Sequence, residues 1–187
     1  MFMYYLQSIS MVLWLFPLFK QNKTIYSHVF IFLAFIDPIA VIYYYLFSAK
    51  SSIYYLVVHM LFIASIVPNK KKYYVILVYT ILIFIYAVFI NNSVIKFAFG
   101  AVNQLIIVTI LASHLLEYLV KGKLNLFLVL IISYFMIGVF RSLGMALSHY
   151  PGVLTTNLGL AFQLLYAILF TFIDVDTKNF SIKKSVL

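Results

Sequence analysis

Seven long apolar runs, separated by short polar links, make up almost the whole of this chain. A helix needs about 20 mostly apolar residues to cross the hydrocarbon core of a bilayer, so seven crossings use roughly 140 residues. The chain has 187 residues, of which 66% are hydrophobic and 9% are charged. Backbone groups in lipid must be hydrogen-bonded within their own segment, and the alternation typical of barrel strands is absent. The sequence therefore predicts an all-α, polytopic membrane protein, a bundle of seven transmembrane helices.

Polar links between the runs give the expected bounds of the helices. The seven predicted helices cover residues 2–19, 24–47, 52–67, 73–90, 94–120, 124–140 (or beyond) and 153–173. Pro38 interrupts the second run, and a link containing Gly, Ser and Pro follows the sixth run at residues 141–152. The start lacks a basic segment and a cleavage site, so it is interpreted as the first helix and not as a signal peptide. We expect one transmembrane domain over residues 1–174 and a short basic cytoplasmic tail over residues 175–187.

Lysine and arginine are distributed unevenly between the two sides that the predicted helices define. Cytoplasmic links of membrane proteins carry the excess of these residues, so the N-terminus is expected outside and the C-terminus in the cytoplasm. The net charge of +9 belongs mainly to lysines near helix ends, so the expected partner is the lipid bilayer of the inner membrane and not a nucleic acid. One side receives Lys50, Lys96 and Arg141, and the other receives ten residues: Lys20, Lys23, Lys70, Lys71, Lys72, Lys121, Lys123, Lys178, Lys183 and Lys184.

Charged and amide side chains inside predicted spans mark a candidate site, because such groups are costly in lipid. With a rise of 1.5 Å per residue, Asp37 lies about 20 Å and Arg141 about 25 Å from the cytoplasmic ends of their helices. Asp37 is interpreted either as a group that binds a cation or proton, or as a structural partner of Arg141. Polar residues of three further helices reach a similar depth. The sequence thus predicts an outward-opening polar pocket formed by Asp37, His59, Asn103, Gln104, Arg141 and Gln163.

A second, weaker cluster is expected nearer the cytoplasmic side, formed by His28, His114 and Glu117. Glu117 also precedes Lys121 by four residues, a spacing that favours an ion pair on one helix. Two histidines on different helices are a possible haem ligand pair, but the two stacked pairs of a dihaem protein are missing. The chain has no cysteine and no His-Glu-x-x-His spacing. We therefore expect no catalytic residue, no metal and no other cofactor.

The layout resembles small seven-helix inner-membrane proteins of Bacteroidota-type bacteria. The similarity lies in seven short helices, a composition rich in Tyr, Phe, Ile and Lys, an aspartate in the second helix (Asp37), and a polar last helix. It spans nearly the whole chain and implies a location in the inner membrane, with no particular activity.

Three functional hypotheses follow from these residues. The first is a non-enzymatic membrane component, either a sensor-like domain or an accessory subunit that packs against a larger membrane complex or a second copy. The missing catalytic groups, the minimal loops and the basic cytoplasmic face favour this hypothesis. The alternative is a small transporter or channel with an outward-opening polar pocket around Asp37 and Arg141. An intramembrane enzyme has the least support.

Overall fold

The computed structural model describes residues 2–21, 27–47, 52–67, 69–89, 93–148, 153–173 and 179–181, and these are almost entirely helical. The predicted all-α class is confirmed. Two described segments, Val94–Val120 and Leu126–Leu147, are long and apolar enough to span a membrane. The elements in chain order are α1 Phe2–Leu13, α2 Leu15–Lys20, α3 Ser27–Phe47, α4 Ser52–Ile66, α5 Asn69–Phe89, α6 Ser93–Val120, β1 Lys123–Asn125, α7 Leu126–Ser148, α8 Val153–Phe172 and β2 Asn179–Ser181.

The first predicted helix is divided into α1 and α2 at Trp14. Pro17 has no backbone N–H, so it cannot donate to the carbonyl of Leu13, and the helical ladder is interrupted there. Backbone hydrogen bonds continue on both sides of the break. Trp14 N donates to Ser10 O at 3.1 Å, and Gln21 N donates to Pro17 O at 2.8 Å. The break places the Trp14 side chain in the interior, where it is 2% exposed.

Helix α7 runs to Ser148, so the link predicted from residue 141 begins later than expected. Arg141 is therefore a helical residue, about two turns before the end of α7. Gly and Ser have a low helix propensity. Here α7 packs against both α6 and α8, and this packing outweighs the local preference.

A small two-stranded sheet joins the link after α6 to the C-terminal segment. Gly122 adopts a left-handed φ of 68°, which ends α6 and turns the chain into β1. Antiparallel pairing then aligns Leu124 with Phe180 of β2. Asn125 is buried and accepts a hydrogen bond from Leu128 N at 3.0 Å, which caps the start of α7. The end of the bundle that carries this sheet is called the sheet end below.

Packed neighbours close a ring around the interior of the bundle. In order, α6 packs on α7, α7 on α8, α8 on α1 and α2, α1 on α3, α3 on α4, and α4 on α6. Helix α5 lies outside this ring against α4. Because short links join consecutive helices, the sheet end collects the ends of α2, α4, α6 and α8 and the starts of α3, α5 and α7.

An aromatic floor fills the ring toward the sheet end. Phe170 lies at its centre, with ring centroids 5.6 Å from Phe30 and 5.6 Å from Phe127. Trp14 packs on the same ring at 6.0 Å. All four side chains are buried. We define the aromatic floor as Trp14, Phe30, Phe127, Tyr134, Tyr166 and Phe170.

Candidate functional site

A cavity of about 450 Å³ lies between the helices and is lined by residues of α3 to α8. Its volume is within the range typical of small-molecule sites. The walls combine apolar side chains, such as Leu33, Phe97 and Leu160, with charged and amide groups. Five of the six residues predicted for a polar pocket line it together, and Lys96 joins them: Asp37, His59, Lys96, Gln104, Arg141 and Gln163.

The polar lining reaches from the middle of the bundle to the end opposite the sheet. Asp37 is the middle residue of α3, so it lies about 15 Å from either end; residues 24–26 of the predicted second helix lie outside the described residues. His59 is likewise the middle residue of α4. Arg141 lies about 10 Å from the end of α7, and Lys96 lies in the first turn of α6. The lining therefore leads from the bundle centre toward the end opposite the sheet.

The aromatic floor separates this cavity from the sheet end. Tyr134 belongs to both, since it lines the cavity and packs edge-on against Trp14 at a centroid distance of 5.6 Å. Tyr166 packs against Tyr134 at 5.4 Å, and its hydroxyl lies 2.6 Å from Ser133 Oγ. Phe135 on the lining continues the aromatic packing toward Phe62 at 5.3 Å. The polar lining thus borders a layer of packed aromatic rings.

Gly159 makes room for the Arg141 side chain. A Cβ at position 159 would lie 2.9 Å from Arg141 Nη1 and 3.0 Å from its Cδ and Cζ. The guanidinium therefore lies directly against the backbone of α8. Only a residue without a side chain permits this approach.

Gly138 provides the same kind of space for Gln104. A Cβ at position 138 would lie 2.7 Å from Gln104 Oε1 and 2.9 Å from its Cδ. Gly100 differs, because a Cβ there would meet Ser142 Oγ at an ordinary distance of 3.8 Å. Two of these glycines thus set the positions of polar side chains on the cavity wall.

Three lining side chains carry a buried polar atom without a hydrogen-bond partner: His59 Nδ1, Gln104 Oε1 and Arg141 Nε. Leaving a buried donor or acceptor unpaired is unfavourable, and native structures contain few such groups. These are three of the eight such atoms among the described residues, and an external partner is one way to satisfy them.

Asp37 lies in a tyrosine-rich part of the wall. It interacts electrostatically with the hydroxyls of Tyr54 and Tyr134. The Tyr54 hydroxyl donates to Ile36 O at 2.9 Å, which holds it beside α3. Tyr134 also hydrogen-bonds with Gln163 and lies within electrostatic reach of Arg141. The carboxylate therefore belongs to a polar network that extends across the cavity.

The other predicted candidates do not line this cavity. Asn103 is buried beside it, and its Nδ2 has no hydrogen-bond partner. His28 and His114 are partly exposed and Glu117 is exposed. Within the described ranges, no group of three His, Cys, Asp or Glu side chains is placed to hold a metal ion.

Lys96 and Tyr134 are cavity residues that the sequence-based prediction leaves out. The sequence analysis counts Lys96 only among the charged residues near helix ends. In the structure its ammonium lies 5.9 Å from the centre of the Tyr86 ring. A helical stripe on α7 indicates the lining in retrospect: Tyr134, Gly138, Arg141 and Met145 recur at intervals of three and four residues. The glycine and the arginine in this stripe are the signal that distinguishes the cavity face from the other faces of α7.

The chain matches no protein-family model, no curated protein and no solved structure. The interpretation of the cavity therefore depends on the residues themselves.

Proposed function

We propose that this chain is an integral membrane protein with seven spans, in which α1 and α2 together form the first. Its surface and interior support this arrangement. Phe140 and Arg141 are neighbours on α7, yet Phe140 is 66% exposed on the outside while Arg141 lines the cavity. A surface rich in apolar side chains around a charged interior is typical of a protein whose solvent is lipid.

The proposed orientation places the sheet end in the cytoplasm and the N-terminus outside. Lys70, Lys71, Lys121 and Lys123 are exposed and belong to helix ends or links at the sheet end. The positive-inside rule assigns such an end to the cytoplasmic side. With this orientation, the cavity leads toward the outer face of the membrane.

Cysteine labelling tests the orientation without interference, because the chain has no cysteine of its own. Val120 at the end of α6 and Leu147 near the end of α7 form a matched pair, with exposed fractions of 83% and 82%. An impermeant maleimide should label Leu147→Cys in intact cells and Val120→Cys only after permeabilisation. The reverse result would refute the proposed orientation.

We propose that the protein is a non-enzymatic, sensor-like membrane domain that binds a small solute in the cavity. The observation that carries this proposal is the gathering of polar groups above the aromatic floor. A transmembrane path needs polar groups along its whole length, whereas here Trp14, Phe127 and Phe170 occupy the other half. A site closed on one side is suited to binding and holding a ligand.

A solute screen by thermal unfolding tests this function. A bound ligand stabilises the folded state in proportion to the logarithm of its concentration above Kd. We expect a solute that raises the Tm of the parent protein and has a much smaller effect on Gln163→Leu. Glu117→Gln, a change at an exposed residue outside the cavity, should respond like the parent. If every solute that shifts the Tm acts equally on both variants, binding takes place elsewhere.

Transport is the second candidate function, and Pro38 is the observation that favours it. Pro38 follows Asp37 in the middle of α3 and cannot donate to the carbonyl of Ala34, so the helical ladder lacks a bond beside the cavity. Such a point allows two halves of a helix to move separately. In proteoliposomes, Asp37→Asn should abolish uptake of the solute while the protein remains folded. Unchanged flux would eliminate this candidate.

The role of accessory subunit remains part of the proposal, with a membrane protein or a second copy as partner. Helix α5 packs mainly on α4 and exposes apolar residues such as Leu77, Ile81 and Phe84. Purification in a mild detergent, followed by mass spectrometry, should then recover a companion chain in fixed ratio. Recovery of a single monomeric species would contradict this role.

A further inference from the structure

The cavity contains more positive than negative charge. Its ionisable lining residues are Asp37, His59, Lys96 and Arg141. When His59 is neutral, the positive charges of Lys96 and Arg141 and the negative charge of Asp37 leave a net charge of one positive unit on the lining. A bound cation would add to this excess, whereas a bound monoanion neutralises it. Because charges interact strongly away from water, this balance selects among ligands.

Arg141 lines the cavity, and one of its donors has no partner among the residues that the structure describes. Its Nε is buried and has no hydrogen-bond partner, while its Nη1 lies against Gly159. Guanidinium groups bind carboxylates and phosphates through two parallel N–H donors, and Nε forms one such pair with a terminal nitrogen. The α8 backbone holds the planar group in place, so little side-chain freedom remains to be lost on binding.

Asp37 supplies one negative charge to the same lining. It is engaged electrostatically with Tyr54 and Tyr134. By helix rise it lies near the bundle centre, while Arg141 lies about two turns from the end of α7. Even with Asp37 paired to Arg141, Lys96 remains as an unbalanced positive charge on the same wall.

Aromatic side chains on the cavity wall indicate that the part of the ligand outside its charged group is apolar. Phe97, Phe135 and Phe162 line the same cavity as the charged groups. Specific small-molecule sites generally have this composition, with apolar walls and a few polar groups that set the orientation. A ligand with one acidic group and an apolar body satisfies both parts of the lining.

We propose that the cavity binds a small organic anion, with its carboxylate or phosphate oxygens on Arg141 and Lys96 and its apolar body against the aromatic wall. This inference rests on the proposed solute-binding function and specifies the class of solute. It assigns Arg141 as the residue that determines specificity.

Phenylacetate, phenylacetamide and phenethylammonium are probes of nearly equal size that differ in charge. Binding is measured on the purified full chain in lipid nanodiscs by calorimetry and by the emission of Trp14, the only tryptophan of the chain. Trp14 contacts Tyr134 of the lining, so its emission responds to occupancy of the cavity. We expect phenylacetate to bind at least about tenfold more tightly than the other two, since hydrogen bonds to a charged group are the stronger ones. Benzyl phosphate identifies which oxyanion is preferred.

Variants connect the selectivity to the proposed residue. Arg141→Gln should weaken phenylacetate binding by about tenfold or more. Arg141→Lys keeps the charge but loses the planar pair of donors, so we expect an intermediate loss. Lys123→Gln removes an equal charge at the sheet end, far from the cavity, and should leave the affinity unchanged. Far-UV circular dichroism verifies the fold of each variant, and Arg141→Lys remains informative if Arg141→Gln does not fold.

Two outcomes would overturn the inference in distinguishable ways. If phenylacetamide or phenethylammonium binds as tightly as phenylacetate, or if Lys123→Gln weakens binding as much as Arg141→Gln, the anion assignment is wrong while solute binding stands. If neither phenylacetate nor benzyl phosphate changes the Trp14 emission or produces heat at millimolar concentration, the anion assignment is refuted, whereas the solute-binding function is refuted only if the thermal-unfolding screen also finds no solute that distinguishes Gln163→Leu from the parent.

Discussion

Substituting Gly159 by alanine is the sharpest test of how Arg141 is held. The added Cβ would lie 2.9 to 3.0 Å from three atoms of the Arg141 side chain, so that side chain must move off α8. Overpacking of this kind costs about 1–3 kcal/mol. Alanine in place of glycine within a helix contributes up to about 1 kcal/mol in the opposite direction. We therefore expect a net loss of about 1 kcal/mol in the free energy of unfolding.

A double-mutant cycle isolates the contact from the propensity of alanine. In an Arg141→Ala background the obstructing side chain is gone, so Gly159→Ala should stabilise the protein by up to about 1 kcal/mol. The coupling between the two positions should then be about 1–3 kcal/mol. Gly100→Ala is the matched control, because its Cβ would meet Ser142 Oγ at 3.8 Å without displacement. Gly100→Ala should therefore raise the free energy of unfolding by up to about 1 kcal/mol, as Gly159→Ala does in the Arg141→Ala background.

The assay is equilibrium unfolding in mixed detergent micelles, with Trp14 emission and far-UV circular dichroism as independent signals. Agreement of the two signals justifies a two-state treatment. If Gly159→Ala changes the free energy of unfolding equally with and without Arg141, the guanidinium does not lie against α8. The contact on which the anion site depends would then be absent.

Two further changes test other parts of the structure. Gln21 is buried and donates through Nε2 to Ile173 O at 2.7 Å and to Phe170 O at 3.4 Å. Gln21→Leu should therefore lower the free energy of unfolding by roughly 1–3 kcal/mol in the same assay. No loss would show that α2 does not support the end of α8. Phe170 is fully buried at the centre of the aromatic floor, so Phe170→Ala should cost about 3–5 kcal/mol and shift the Trp14 emission to the red. An unchanged emission maximum would contradict the contact between these two rings.

Much of the candidate site follows from depth along helices, which a sequence contains directly. Because each helical residue advances the chain by 1.5 Å, the positions of Asp37, His59 and Gln163 within their runs imply similar levels. The structure brings these residues to one cavity with Gln104 and Arg141. The predicted start of the link after the sixth helix was wrong, because α7 continues to Ser148.

The direction in which each residue faces does not follow from the runs. A helix that is apolar on all sides has no amphipathic pattern to show which side meets its neighbours. Asn103 and Gln104 are adjacent on α6, and only Gln104 lines the cavity, because Gly138 of α7 leaves space for it. Likewise, nothing local predicts that Lys123–Asn125 pairs with Asn179–Ser181.

Apolar runs of helical length alone determine the all-α class, and the distribution of lysines gives the expected orientation, since both are properties of single segments and need no knowledge of their neighbours. The order of helices in the ring, the closed aromatic floor and the placement of Arg141 against Gly159 are decided by tertiary packing. These features depend on contacts between residues far apart in the chain, and small residues such as Gly138 and Gly159 acquire their role only when a neighbouring helix lies against them.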